Sequence, residues 1–154
     1  MLKTIECDKG IYCLILKCSE PALIYMPKFK SVQFNKGYYC YIGSAQKNLS
    51  ARLERHFRKN KTIHWHIDYL TANKNFSAEE AVIFKGKAKP FECELSQDFA
   101  KNRKFRTAVP GFGNSDCKEC LTHLYYSAGK PSYSHFISLY QSIERLIPSS
   151  RKTF

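Results

Sequence analysis

Two phenols, a guanidinium and an imidazole stand in this chain at spacings that would let them act together. Tyr12 closes the triplet Gly10-Ile11-Tyr12, and Tyr41 opens the triplet Tyr41-Ile42-Gly43. Arg52 and His56 follow, four residues apart, so on a helix they share one face. Hydrolysis of a phosphodiester needs an activated water, neutralisation of charge on the phosphoryl oxygens and help for the leaving group. Arg52 suits the second task, because its planar fork matches phosphate oxygens and never deprotonates. A tyrosine can orient or deprotonate water only if its pKa, about 10 when unperturbed, is brought down by cations or a metal nearby. Tyr12 and Tyr41 are the candidates for that role, with no distinction between them. His56 is a candidate for proton transfer or phosphate binding. The plainer reading of the same residues is two strand tyrosines in a core, a solvated arginine and a surface histidine.

The elements that would position these groups are legible from periodicity. Residues 11–18 are apolar on both alternating faces, which reads as a strand buried on both sides. A short strand over 23–26 is stopped by Pro27, Lys36-Gly37 marks a turn, and 38–42 is another strand. Antiparallel pairing of 11–18 with 38–42 would bring Tyr12 and Tyr41 to one end of a sheet. Asn48 is the expected N-cap of a helix to about residue 59, with Leu49, Leu53 and Phe57 as its buried stripe. Further expectations are a short helix over 64–72, a strand over 81–84, a helix over 91–100 and a strand over 121–126. A last helix from Pro131 would run through Phe136, Leu139, Tyr140, Ile143 and Leu146, ended by Pro148. The fold class is α/β, more narrowly α+β: a small, mainly antiparallel sheet flanked by helices. Residues 1–147 read as one domain and 148–154 as a tail.

Lys and Arg number 25 against 13 Asp and Glu, a formal net charge of +12 over 154 residues. A surplus of that size favours an anionic partner, and clustered Lys and Arg on a phosphate polymer release counterions. Candidate contacts are Arg55, Arg58 and Lys59 in the second half of the first helix, and Lys101, Arg103, Lys104 and Arg106 in a basic loop. They would hold a backbone without reading bases. No apolar run reaches membrane-spanning length, and the first residues lack a signal-peptide core. The seven cysteines then read as reduced thiols in a cytoplasmic protein.

With these residues in view, the pattern resembles the GIY-YIG nuclease superfamily. Its motif is carried here by Gly10-Ile11-Tyr12, Tyr41-Ile42-Gly43, Arg52 and His56. The nearer resemblance is to the Uri-type endonuclease branch, through Tyr41-Ile42-Gly43-Ser44-Ala45, Trp65-His66-Ile67-Asp68-Tyr69-Leu70, and Ser115-Asp116-Cys117 followed by Cys120 and His123-Leu124. The resemblance spans roughly residues 10 to 126. It implies a metal-dependent endonuclease acting on nucleic acid, DNA ahead of RNA, with an association to DNA repair or processing. It implies one divalent cation, Mg²⁺ or Mn²⁺, held mainly by a glutamate on a later helix. Glu92 is that residue by its spacing to Leu95, with Glu94 as the alternative. Many superfamily members also carry an asparagine beyond the glutamate. The matching position here is Lys104, with Asn102 and Asn114 the nearest substitutes.

Cys117, Cys120 and His123 have zinc-ligand types at two-residue gaps, and Cys93 would be a fourth ligand if the fold brought it near. A strong zinc signal has two separated ligand pairs, and only one compact cluster is evident, so core thiols are the favoured reading over structural zinc. Trp65 is expected as a core anchor, and Asp68 as the partner of a cation or a cap of the fold. Two other functions stay open at this level: a basic DNA- or RNA-binding module without catalysis, and a zinc-stabilised interaction domain.

Overall fold

The computed structural model describes residues 8–114, 117–134, 136 and 143–148. The chain orders as β1 (Gly10–Cys18), β2 (Ala22–Met26), β3 (Lys30–Phe34), β4 (Gly37–Ala45), α1 (Leu49–Phe57), α2 (His66–Thr71), β5 (Phe76–Lys85), α3 (Pro90–Lys101), β6 (Arg106–Thr107), β7 (Leu124–Ser127) and β8 (Ile143–Leu146). Six strands form one sheet in the order β6-β7-β4-β1-β5-β8, every pair antiparallel. The fold is therefore α+β. β1 lies inside the sheet between β4 and β5, which is why its sequence is apolar on both faces.

Alternation along β1 separates two cores. Tyr12, Leu14 and Leu16 face α1, α2 and the β2–β3 hairpin, and pack with Leu49, Leu53, Ile67 and Leu70. Ile11, Cys13 and Ile15 face the other way, against Leu95 and Phe99 of α3. The candidate phenols and α1 thus share one face, and α3 covers the opposite one.

Four local expectations are corrected. The end of the expected last helix, 143–146, is strand β8, paired with residues 81–84 of β5. Tyr133, Ser134 and Phe136 are helical, whereas Leu139 and Tyr140 lie outside the described residues. Arg145 of β8 binds the buried Glu80 carboxylate, and Glu144 lies 3.5 Å from Lys85. An open sheet edge and a buried acid in need of a cation outweigh a four-residue helical spacing. Secondly, β3 was not expected. It closes a hairpin on β2 past Lys30, whose φ is 64°. Thirdly, Asn48 occupies the N-cap position in a left-handed conformation without any side-chain cap bond. Asp8 does that work: its Oδ1 accepts from the Ser50 amide and hydroxyl, each at 2.7 Å. Those bonds hold the Asp8 carboxyl below the usual carboxylate range. Fourthly, the strand expected from residue 121 begins at Leu124, because Thr122 and His123 are tied into the preceding loop.

Candidate active site

In the β1–β4 ladder Tyr12 stands opposite Gly43, and Tyr41 opposite Leu14. Tyr12 and Tyr41 are therefore diagonal neighbours on one face, with ring centroids 6.4 Å apart. Gly43 explains the last letter of its triplet. A Cβ there would collide with Cζ and the hydroxyl of Tyr12, so only glycine lets the phenol lie flat over β4. Gly113, at φ 76°, does the same for Tyr41, whose ring a Cβ would strike.

α1 supplies the other two groups. Its buried residues are Leu49, Leu53 and His56, and Phe57 is only partly covered, so His56 replaces Phe57 in the inward stripe. The imidazole is 1% exposed, not a surface histidine, and its Nε2 lies 2.7 Å from the Tyr12 hydroxyl. Burial, then Lys61 with Arg52 and Arg55 nearby, pushes His56 down to about 3 against the partial pull of Asp68. Burial raises the Tyr12 phenol well above its usual range, and Tyr41 and Glu92 add to the rise while Arg52 works against it. Tyr12 and His56 are both neutral at pH 7, so the hydrogen bond between them is one of neutral partners.

Arg52 is partly exposed, donates through Nη1 to the Ser44 carbonyl at 2.6 Å, and stacks 4.8 Å from the Trp65 ring. Trp65 is not a fully buried anchor. It is a platform between Arg52 and Arg55, which lies 5.1 Å away on the same ring, and His56, 6.3 Å away. Asp68 fixes that platform. Its Oδ2 accepts from Arg55 at 2.6 Å and from the His64 and Trp65 amides at 2.8 and 2.9 Å. Burial pushes the Asp68 carboxyl up, but the Trp65 amide, Arg55 and the His64 amide outweigh it and hold it low. Tyr12, Tyr41, Arg52 and His56 converge at the glycine end of β4.

Glu92 and Glu94 separate cleanly. Glu92, in the first turn of α3, is 6% exposed, lies 3.5 Å from Lys89 Nζ and is close enough to raise the Tyr12 pKa. Glu94 is exposed. Among the described residues the group with metal-ligand character is a different one. Ligand atoms of Cys93, Cys117, Cys120 and His123 lie within 4.8 Å of one another, a cluster that could hold a metal ion. Its thiol and imidazole donors suit zinc better than magnesium. Cys93 and Cys117 sulfurs are in disulfide contact with Cα atoms 7.1 Å apart, which departs from the expected set of separate thiols.

The basic residues divide by what they touch. Arg55 is committed to Asp68 and to the Thr62 carbonyl at 2.7 Å. Lys59 donates to the carbonyls of Asn73 and Phe76, tying the end of α1 to the start of β5. Lys61, not singled out by the sequence, donates to the Arg55 carbonyl at 2.8 Å and to Thr71 at 2.7 Å, and burial, with neighbouring cations, lowers it to about 8. Arg106 stacks 4.7 Å from the Tyr126 ring. Arg58, Lys101, Arg103 and Lys104 are exposed. Lys101 lies about 14 Å along the α3 axis from Glu92. Asn114 is buried and donates to the Cys120 carbonyl at 2.5 Å, whereas Asn102 folds back onto the Lys104 amide.

A family model described as a domain of unknown function, DUF123, matches residues 11–145. The chain belongs to the DUF123 family. No curated protein and no solved structure matches it. The DUF123 match covers all the groups just described, from the Tyr12 strand through the Cys120–His123 loop to Arg145. The family's description states no activity, so function has to be argued from the site. Among the described residues, no helix of this DUF123 chain is long and apolar enough to cross a membrane.

Proposed function

We propose that this DUF123 chain is a metal-dependent endonuclease of GIY-YIG, Uri-like type, hydrolysing phosphodiester bonds in nucleic acid, DNA ahead of RNA. The observation that carries the reading is the meeting of Tyr12, Tyr41, Arg52 and His56 on one face, from three elements, in the order the motif requires. A repair or processing role is the cellular setting that the resemblance suggests.

Arg52 is partly exposed and braced by Trp65 and Ser44, so it can hold a phosphoryl oxygen without ordering cost at the moment of reaction. Tyr41, the more exposed phenol, is placed to orient the attacking water. Tyr12, whose phenol pKa burial raises rather than lowers, joins His56 at 2.7 Å behind Tyr41, so this buried pair positions Tyr41 and the water gives up its proton to solvent. The attacking oxygen then bonds to phosphorus as the P–O bond to the leaving oxygen breaks, and the leaving oxygen takes a proton from solvent.

The residues present fit a single divalent cation held by Glu92. Glu92 starts α3, on the face of the sheet opposite the phenols, and its buried carboxylate, close enough to act on the Tyr12 phenol, would be the protein ligand of a Mg²⁺ or Mn²⁺ that keeps several waters. Bound there, the ion would supply Lewis-acid neutralisation of the phosphoryl charge. The test is cleavage of labelled DNA and RNA with Mg²⁺ or Mn²⁺, wild type against Arg52→Ala and Glu92→Ala. Binding without cleavage on every substrate would instead identify a non-catalytic binding module.

A further inference from the structure

We propose that Cys93, Cys117, Cys120 and His123 bind one structural Zn²⁺ that staples the first turn of α3 to the loop entering β7. The four ligand atoms come within 4.8 Å of one another. In a tetrahedral zinc site the ligand atoms are separated by about 3.3 to 3.8 Å, from bond lengths of about 2.0 to 2.3 Å. Small side-chain adjustments close the difference. Three ligands come from one loop at two-residue gaps, and the fourth comes from a helix 24 residues before Cys117. That is the separated donor whose absence weakened the zinc reading of the sequence.

The loop is built to hold its ligands in place. The Cys117 amide donates to the Asn114 carbonyl at 2.9 Å, the Asn114 side chain to the Cys120 carbonyl, and the His123 amide to Phe112 at 2.9 Å. A Cys93–Cys117 disulfide is the competing account. It engages only two of the four clustered donors, and the 7.1 Å Cα separation exceeds the span a disulfide ordinarily bridges. Four protein donors leave no open position, so the ion is structural, and its soft thiolates separate it from the oxygen site at Glu92. Binding converts three thiols to thiolates and releases their protons to solvent.

The position of the site gives it a consequence for the chemistry, and only this consequence rests on the nuclease reading. Cys93 is bonded to Glu92, and the His123 carbonyl accepts from the Ile42 amide at 2.9 Å, next to Tyr41. One zinc would therefore fix the metal carboxylate relative to the phenols across the sheet.

The full chain, purified under reducing conditions with zinc supplied and then dialysed, should carry one zinc per chain by elemental analysis. X-ray absorption should show three sulfurs at about 2.3 Å and one nitrogen at about 2.0 Å. Cys120→Ser and Cys93→Ser should lose most of that zinc, while Cys13→Ser and Glu92→Ala keep it. Wild-type protein without zinc overturns the proposal, whether its thiols are free or Cys93 and Cys117 are oxidised. So does full zinc retention in Cys120→Ser and Cys93→Ser. Because the wild-type measurement needs no variant to fold, a misfolded serine variant leaves the test intact. Zinc bound with no cleavage counts against the nuclease reading alone.

Discussion

The Tyr12 hydroxyl and His56 Nε2 lie 2.7 Å apart, joining β1 to α1 across 44 residues of sequence. Both rings are about 1% exposed, and both are neutral at pH 7. The pair is sealed under Trp65 and Tyr41, so its protonation is coupled to folding and to whatever anion binds beside Arg52.

His56 should make the protein acid-sensitive. Its folded pKa of about 3 lies below its ordinary 6.5, so between these values the unfolded chain binds the extra proton. Stability from this group is complete above pH 6.5 and is lost as pH falls toward 3. Urea unfolding should show a loss of about 2 kcal/mol between pH 7 and pH 5 from His56 alone. In His56→Gln that component of the slope should vanish; an unchanged slope would show that His56 titrates normally.

Gly43→Ala should be costly although alanine is otherwise harmless in a strand. The new Cβ meets the Tyr12 ring and hydroxyl, so the ring must leave His56. The expected loss is about 1 to 3 kcal/mol in chemical denaturation. In Tyr12→Ala the same glycine substitution should cost far less, and the double-mutant cycle should report coupling above about 1 kcal/mol. Additive effects would mean that the phenol does not lie over Gly43.

Arg55 and Arg58 are three residues apart and should behave differently. Arg55→Ala leaves Asp68 buried without its cation, at a cost of about 3 kcal/mol. Arg58→Ala, at an exposed position, should change stability by under about 0.5 kcal/mol. Thermal or urea denaturation of the two variants checks this directly.

The exposed cluster Lys101, Arg103 and Lys104 should contribute to nucleic-acid affinity through backbone charge. Replacing all three with glutamine should weaken binding similarly on every sequence and flatten the log–log salt dependence by about 0.9 per phosphate contact removed. Fluorescence anisotropy at several salt concentrations measures both. An unchanged salt slope would put the contacts elsewhere.

The sequence made the phenol pair legible because a period-two strand and a four-residue helical step are local signals. Tyr12, Tyr41, Arg52 and His56 could be placed on faces before any contact was known. The Asp68–Arg55 pair is half legible: the sequence shows an acid suited to a cation or a cap, but groups Arg55 with the nucleic-acid contacts. What stayed hidden depends on tertiary approach. Nothing in Gly113 says that Tyr41 will lie against it, and nothing in Asp8 says that it will cap α1. Residues 143–146 have helical spacing, and only the open edge of β5 and the buried Glu80 make them a strand. Cys93 joins the Cys117–His123 loop because α3 begins where that loop ends, a proximity no spacing rule encodes.

The central claim is that the Tyr12, Tyr41, Arg52 and His56 group cuts phosphodiesters. Single-turnover cleavage of labelled single-stranded, double-stranded and branched DNA, and of RNA, with Mg²⁺ or Mn²⁺ tests it most directly. The wild type should cut at least one of these substrates only when the metal is present. Arg52→Ala should lower the rate at least about 100-fold, as losing a donor to the developing charge does, while the protein remains folded and binds substrate. Binding with no metal-dependent cleavage of any substrate, or cleavage unaltered in Arg52→Ala, would contradict the account.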